Sequence, residues 1–284
     1  MQNLNGKVAV ITGGTRGLGL AIARGLAAEG AAVVVASRSK KSVEAAIAEL
    51  IRQGYRVTGM DMDVADLAQV EALAELAQKE FGRLDIWVNN AGVGGPYGPT
   101  VDFTPQAFYQ VIQTNIVGVY NGSRTAMRRF LGQGSGKLIN ILGAGSDGPV
   151  AWQNAYASSK IWVRSFSLAL AKETKGSGVG VYAYNPGMVL TELLTNVEVI
   201  AGNESRLEKF GTIVRLLAKP ADQAARGVVR LASPQTDGKT GLLVKNFSML
   251  RVATSFAGEG LRRLLKRAVR EQEICITSVP AAEK

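Results

Sequence analysis

Tyr156-Ala157-Ser158-Ser159-Lys160 sets a phenol and a primary amine four residues apart. On a helix the two lie on one face, with Cβ atoms about 5–6 Å apart. A phenol, with an ordinary pKa of about 10, is a poor base at neutral pH. A neighbouring ammonium favours the phenolate and lowers that pKa. The pair could therefore pass a proton to or from a substrate oxygen. The chain contains no histidine. That excludes Ser-His-Asp and Cys-His chemistry and His-ligated zinc, and no metal site is expected. Proton transfer falls to Tyr, Lys, Asp, Glu or water. Tyr and Lys at this spacing occur on many helices, so the pair gains meaning only from its surroundings.

A second chemical signal stands near the start, in Thr12-Gly13-Gly14-Thr15-Arg16-Gly17-Leu18-Gly19. It follows an apolar run, Lys7 to Thr12, and opens a helical pattern from Leu18 to Glu29. A strand before and a helix after are what give a glycine-rich run its value. Gly13 permits a tight turn, Gly17 lets backbone approach a pyrophosphate, and Gly19 allows close helix–strand packing. The helix N-terminus offers free N–H groups and a positive dipole end to phosphate. The bland alternative is an ordinary βα turn. Two Gly-Lys pairs, Gly136-Lys137 and Gly238-Lys239, lack the rest of a P-loop.

The residues after the second strand bear on which dinucleotide is expected. NAD sites usually carry Asp or Glu there, to hold a ribose hydroxyl. This chain has Ala36-Ser37-Arg38. Arg38 can pair bidentately with a 2′-phosphate, which a carboxylate would repel. Arg16 could reach the same group. NADP (NADPH) is therefore favoured over NAD. Asp63, with Val64 beside it, could accept a bond from the adenine amine.

The elements that must position these residues follow from the pattern. Apolar runs at Lys7 to Thr12, Ala32 to Ala36, Arg56 to Met60, Leu84 to Val88, Lys137 to Leu142, Val179 to Tyr184 and Thr240 to Val244 read as strands. Helical patterns separate them, the longest over Gln106 to Phe130 and Ala155 to Glu173. Strands joined by helices of about 10 residues or more imply βαβ units and a parallel sheet. The predicted fold is α/β, a Rossmann-type doubly wound parallel sheet of about seven strands in a single domain. That domain spans 1–248, with a C-terminal basic helical extension over 249–284.

The glycine turn, Asn89-Asn90-Ala91-Gly92, Asn115, Tyr156-x-x-x-Lys160 and Pro186-Gly187 form one ordered set. Together they resemble the short-chain dehydrogenase/reductase family, over residues 5–245. The resemblance implies an NADP-dependent oxidoreductase interconverting a carbonyl and an alcohol. Tyr156 would give the carbonyl oxygen its proton, and Lys160 would lower the Tyr pKa and hold the nicotinamide ribose. Asn115 would anchor a water that relays protons to Lys160. Asn89, Ala91 and Gly92 would pack beside the cofactor, and Pro186, Gly187, Val189 and Thr191 would bind near the carboxamide. The family's usual serine, thirteen residues before the Tyr, is replaced here by Gly143. Ser146 could turn inward instead, or a backbone N–H could polarise the carbonyl, or the role is lost. Gly143-Ala144-Gly145-Ser146, the run from Pro186 to Leu194, Lys209-Phe210 and Leu217-Ala218-Lys219-Pro220 resemble a chlorophyll b reductase subgroup, which acts on a formyl group of a chlorin.

Residues 192–219 carry many apolar side chains, from Leu193 to Leu217, and the resemblance makes them a mobile lid over the substrate. A hydrophobic substrate is the expectation, with packing against the sheet as the alternative. In the extension, Leu261, Leu264, Leu265, Ala268 and Val269 make a helical stripe among Arg262, Arg263, Lys266, Arg267 and Arg270. Such a helix lies on an anionic membrane or packs on its own subunit or a partner. The net charge is +10, but no nucleic-acid motif accompanies it, so nucleic acid is not an expected partner. One cysteine, no secretory leader and no membrane-length apolar run make a cytoplasmic protein the expectation. The resemblance further implies a homodimer or homotetramer through the two long helices. Two other readings stay open: a non-enzymatic NADP-binding regulator, motivated by Gly143, and a membrane-associated reductase of a lipophilic, chlorin-like carbonyl.

Overall fold

The computed structural model describes residues 4–246, 254, 257, 259 and 271–282. The first half alternates strand and helix: β1 (Val8–Thr12), α1 (Gly17–Ala28), β2 (Ala32–Ser37), α2 (Lys40–Arg52), β3 (Val57–Asp61), α3 (Leu67–Phe81) and β4 (Ile86–Asn89). Next come α4 (Pro105–Ile112), a π-turn (Gln113–Val117), α5 (Gly118–Gln133), β5 (Gly136–Ile141), α6 (Asn154–Glu173) and β6 (Val179–Asn185). The remainder holds β7 (Val189–Leu190), α7 (Glu192–Thr195), β8 (Asn196–Ile200), α8 (Phe210–Leu217), β9 (Lys219–Pro220), α9 (Ala221–Ala232), β10 (Leu242–Lys245) and β11 (Cys275–Val279).

Seven strands form the main sheet in the order β10-β6-β5-β4-β1-β2-β3, every pair parallel. Parallel strands need crossover connections, and the helices that make them cover both faces. That is why Val8 to Ile11 and Ala32 to Ala36 are apolar at every position and buried throughout. Side chains alternate between faces along each strand. Ala9, Ile11, Val33 and Val35 meet Ile22, Leu26, Leu50, Val228 and Leu231 on one face. Val8, Val10, Val34 and Trp87 meet Val70, Leu73, Ala126 and Phe130 on the other. Each fully buried Leu, Ile or Val contributes about 1.5–3 kcal/mol relative to exposure. The strand order reverses between β1 and β4, which opens a crevice at their carboxyl ends. The predicted α/β sheet of about seven strands is the one observed.

Three local features were not in the sequence reading. The long helix expected over Gln106 to Phe130 is interrupted by the π-turn. Residues 192–219, expected as a lid, contain a strand, β8. Cys275 to Val279, in a stretch read as helical extension, is a strand that pairs with β8 in parallel. The basic stripe from Leu261 to Arg270 lies outside the described residues. Among the described residues no helix is long and apolar enough to cross a membrane.

A buried polar chain stitches the middle of the fold together. Trp87 Nε1 donates to Asn89 Oδ1 at 2.8 Å, and Asn89 Nδ2 donates to Asn140 Oδ1 at 2.8 Å. Asn140 Nδ2 in turn donates to Ser167 Oγ at 2.9 Å. The chain links β4, β5 and α6, and the second bond of Asn89, to Ser123 Oγ, adds α5. Asn140→Ala leaves buried polar groups on both neighbours without that partner, and is expected to cost about 1–3 kcal/mol. Urea unfolding measures it.

Candidate active site

Lys160 sits in the second turn of α6 and is almost wholly buried. Its Nζ donates to Ile141 O, at the end of β5, at 3.2 Å. The same Nζ lies 5.5 Å from the centroid of the Tyr156 ring. The Tyr156 side chain is half-buried, with its hydroxyl turned inward against Gly143. Helical spacing therefore does bring the pair together, but the electrostatics differ from the sequence expectation. Burial pushes the Tyr156 phenol up to about 12 and pulls the Lys160 amine down to about 8. The sequence argument has the ammonium lowering the phenol. Desolvation outweighs it, because both charged forms lose water and the amine is bonded to a carbonyl. Tyr156 is thus held protonated, the form that gives up a proton.

Asn115 lies in the π-turn and is fully buried. Its Oδ1 accepts from Val93 N at 2.9 Å, and its Nδ2 donates to Val93 O at 3.0 Å. Nδ2 also donates to Ser159 Oγ at 3.1 Å, on the catalytic helix itself. The clamp holds the segment after β4 beside Lys160. A Cβ placed on Gly92 would stand 3.4 Å from Asn115 Oδ1 and 3.6 Å from Lys160 Nζ. Asn115, Gly92 and Lys160 are therefore one cluster. A π-turn widens a helix locally and recurs at functional sites. Nothing in the order of apolar residues announces it.

Gly143 opens the turn between β5 and α6. A Cβ there would overlap the Tyr156 hydroxyl. The space that a serine side chain would take is thus filled by the phenol. Ser146 does turn inward, and it is 1% exposed. Its Oγ accepts from Asn185 Nδ2 at 3.0 Å, and it makes no hydrogen bond to Tyr156. Asn185 was not singled out from the sequence. Its Nδ2 also donates to Gly143 O at 3.2 Å, and its Oδ1 accepts from Gly187 N at 2.9 Å. It ties the glycine-rich turn to Pro186-Gly187. The signal for it was present, since Asn ends a buried apolar strand where no side-chain amide is needed for the core.

The glycine turn is built as a close-packed cradle. Gly13 has φ 62° and lies against Ala91, where its Cβ would come within 2.9 Å of Ala91 Cα. A Cβ on Gly19 would overlap Gly13 O. Asn90 Nδ2 donates to Thr12 O and to Gly13 O, both at 3.0 Å. Thr15 and Leu18 are half-buried and line the turn, while Gly17 begins α1 and packs against Thr191. Arg16 pairs with Glu192. Both side chains are exposed, so this pair contributes little. Ser37 Oγ is buried with no hydrogen-bond partner among the described residues. Next to it, Arg38 is exposed and makes no ion pair among the described residues. Asp63 accepts from Ala65 N at 2.9 Å, and Val64 is buried under Asn121, which donates to its carbonyl at 3.0 Å. Asn89 stays within the buried polar chain of the sheet, leaving Ala91 and Gly92 to face the crevice. Val189 is buried, and Thr191 donates to Val189 O at 3.3 Å.

The chain belongs to the short-chain dehydrogenase family, whose pattern matches residues 7–199. It is 34% identical over 271 residues to a probable chlorophyll(ide) b reductase of Arabidopsis thaliana, covering 88% of this chain and 53% of that one. It is 40% identical over 204 residues to a rice (Oryza sativa subsp. japonica) protein of the same name, covering 65% of this chain and 40% of that one. The chain thus spans about half the length of these two relatives. With the 3-oxoacyl-[acyl-carrier-protein] reductase of Haemophilus influenzae it shares 36% identity over 84% of this chain and 95% of the other. An actinorhodin polyketide ketoreductase solved with NADPH superposes at a TM-score of 0.77, with 28% identity over 84% of this chain and 95% of that one. A Brucella melitensis 3-ketoacyl reductase solved with NADH gives 0.76, with 30% identity over 86% and 98%.

The overlap at Gly143 yields a prediction that needs no substrate. Gly143→Ser must move the end of the Tyr156 side chain aside, and because that side chain is only half-buried the cost is expected at the low end of overpacking, about 1 kcal/mol. Gly143→Ala should do the same, because the Cβ alone makes the overlap. Thermal or urea unfolding of the two variants checks this.

Proposed function

We propose that the chain is an NADPH-dependent carbonyl reductase in which Tyr156 is the proton donor. The observation that carries the reading is the Tyr156 ring 5.5 Å from Lys160 Nζ, its hydroxyl turned inward against Gly143 at the carboxyl ends of the central strands. The site fits a dinucleotide. Gly13 and Gly19 form a cradle that any side chain would fill. The Ser37 hydroxyl, at the end of β2, has no hydrogen-bond partner among the described residues, and Arg38, the next residue, makes no ion pair among them; the two would hold a 2′-phosphate. A bound nicotinamide supplies the hydride.

The chain's own residues do the rest. The Tyr156 hydroxyl donates its proton to the carbonyl oxygen as that oxygen gains negative charge. Lys160 would hold the ribose and, as a cation, stabilises the phenolate left behind. Asn115 fixes the turn at Gly92 and Val93 under the amine, and the proton relay that the family resemblance implies would run past it to Lys160. Ala91, Pro186, Gly187, Val189 and Thr191 form the walls on which the nicotinamide would rest. Ser146, held by Asn185, shapes the turn at Gly143 and is not in reach of the phenol by any hydrogen bond. With no serine in the usual place, the carbonyl is left to Tyr156 and to backbone N–H groups of the 143–146 turn.

A hydrophobic carbonyl is the substrate class the site supports. Leu190 and Leu193 are 41% and 54% exposed at the head of the lid, and Leu193 Cδ1 lies 3.8 Å from a Cβ built on Gly94. The likeness to probable chlorophyll(ide) b reductases adds chlorin aldehydes to the candidates. Phe108, Tyr109, Tyr120 and Ile161 leave apolar surface on α4, α5 and α6, which supports a homo-oligomer through those helices. The lone cysteine, Cys275, is exposed and free, in keeping with a reducing compartment such as the cytoplasm.

An NADPH-oxidation screen over aliphatic and aromatic aldehydes, ketones, quinones and a formyl chlorin tests the reading. Turnover of at least one carbonyl is expected, and tight NADPH binding with none turned over would oppose it. Arg38→Glu should weaken NADPH binding by about tenfold or more and leave NADH nearly unchanged, since the lost pairing is with the 2′-phosphate alone. The pH profile follows from the two burial effects. The phenol stays protonated up to about 12, so it does not limit reduction at high pH. Lys160 loses its charge above about 8, so the reductive rate should fall there. Lys160→Met has no such proton to lose, and its weaker activity should show no limb in that range.

A further inference from the structure

The segment 271–282 is built into the lid. Cys275 to Val279 pairs in parallel with Asn196 to Ile200 over five residues, and Ala201 N donates to Val279 O at 3.0 Å. On its other edge β8 bridges Tyr97, which donates to Glu198 O at 2.8 Å and accepts from Ile200 N at 2.9 Å. The lid strand therefore lies between the crevice segment after β4 and the returning chain. Ser278 Oγ donates to Glu204 at 2.6 Å, and Ala282 N donates to Asp102 O at 2.9 Å. The segment thus spans from the lid to the turn before α4.

A charged pin fastens the lid helix to the same part of the chain. Arg215, on α8, donates from Nη2 to Glu259 at 2.6 Å and from Nε to Glu271 at 3.1 Å. The Arg215 and Glu259 side chains are 19% and 6% exposed. A charge-assisted bond between groups this sheltered is stronger than a surface ion pair. A Cβ on Gly211, one turn earlier, would approach Gln272 O at 2.8 Å, so backbone meets backbone there. The lid touches the catalytic turn separately, through Arg206 stacked 3.8 Å over the Trp152 ring. Trp152 holds a left-handed φ of 70°, a conformation that costs a bulky residue about 1–3 kcal/mol.

We propose that residues 271–282 are a strap that fixes the lid over the crevice, and that Arg215 is the positioning residue that locks it. The strap sets how the carbonyl substrate is held without touching the dinucleotide cradle. This rests on the reductase reading only for the identity of the ligand under the lid. A lid must open and close on each turnover. Here the opening requires β8 to move with β11 or part from it, so the ladder and the Arg215 pin set the free energy of opening.

The test uses the full chain with three substitutions. Arg215→Ala removes the pin, and Arg215→Lys restores a cation without the fork that reaches two carboxylates. Thr277→Pro breaks the ladder, because Thr277 shares the inward hydrogen-bonding orientation of Val279, two residues on. Amide hydrogen exchange in 192–217 should quicken by about tenfold or more in Arg215→Ala and Thr277→Pro, and less in Arg215→Lys. NADPH affinity should stay within about twofold of wild type, while KM for the best carbonyl of the screen rises more than kcat falls. Wild-type exchange rates in 192–217 in both strong variants would overturn the strap. So would a loss of NADPH affinity parallel to the loss at the lid, which would mark the segment as general scaffold. Exchange and NADPH binding need no turnover, so a chain that reduces none of the carbonyls still tests the strap. The reductase reading fails separately, in the screen.

Discussion

Lys160 carries its amine into the protein interior and finds one carbonyl, Ile141 O, to receive it. Much of the site is arranged around this buried cation. Removing an ammonium from water is costly unless it gains partners or gives up charge, and the amine moves part of the way towards neutrality. Room for it requires the absence of side chains nearby. Gly92 leaves its flank open, and Gly143 leaves the neighbouring space to the Tyr156 hydroxyl. The clamp of Asn115 on Val93 then holds the open flank in place. At Gly143 the absence of a side chain is thus a matter of volume, whereas a Cβ on Gly92 would make only ordinary contacts.

The parts of this arrangement that were legible in the sequence are those carried by period and by turn chemistry. Runs such as Val8 to Ile11 are apolar at every position because both faces of a parallel sheet are covered, and this fixes strand and class alike. Gly13 and Gly19 stand where any side chain would collide with backbone or with Asn90, so their spacing reports a packing constraint. Tyr156 and Lys160 share a face for the helical reason anticipated. The π-turn at Gln113–Val117 was not legible, because one extra residue per turn leaves the local composition unchanged. The rise in the phenol's pKa was not legible either, since it depends on how deep α6 sits and not on the neighbouring residue type. β11 pairs with a strand more than seventy residues away, and no local pattern encodes that choice of partner. Its side chains are mostly exposed, so it lacks the apolar signature of the central strands.

Two charged residues show how tertiary context redirects a sequence argument. Arg38 is the expected partner of a 2′-phosphate, and Arg16 a second residue that could reach it. Arg16 meets Glu192, tying the glycine turn to the segment that follows β7, whereas Arg38 makes no ion pair among the described residues. Residues 192–219 are further bound near their start by the β8–β11 ladder and near their end by Arg215. The glycine turn, the turn before α6 and the returning chain thus each hold one part of residues 192–219. If this segment acts as the proposed lid, its opening is a local event, with a free energy set by a few bonds and far smaller than global unfolding.

The central claim is that Tyr156 supplies the proton while the fold and the cradle serve only to position it. Single-turnover reduction of one confirmed carbonyl by NADPH-loaded Tyr156→Phe, compared with wild type under identical conditions, tests this most directly. The substitution removes one oxygen and keeps the ring that Gly143 and Lys160 pack against. A fall in the single-turnover rate of about 10²-fold or more, with NADPH affinity and stability retained, is the predicted result. A correctly folded Tyr156→Phe that reduces the same carbonyl at the wild-type rate would contradict it.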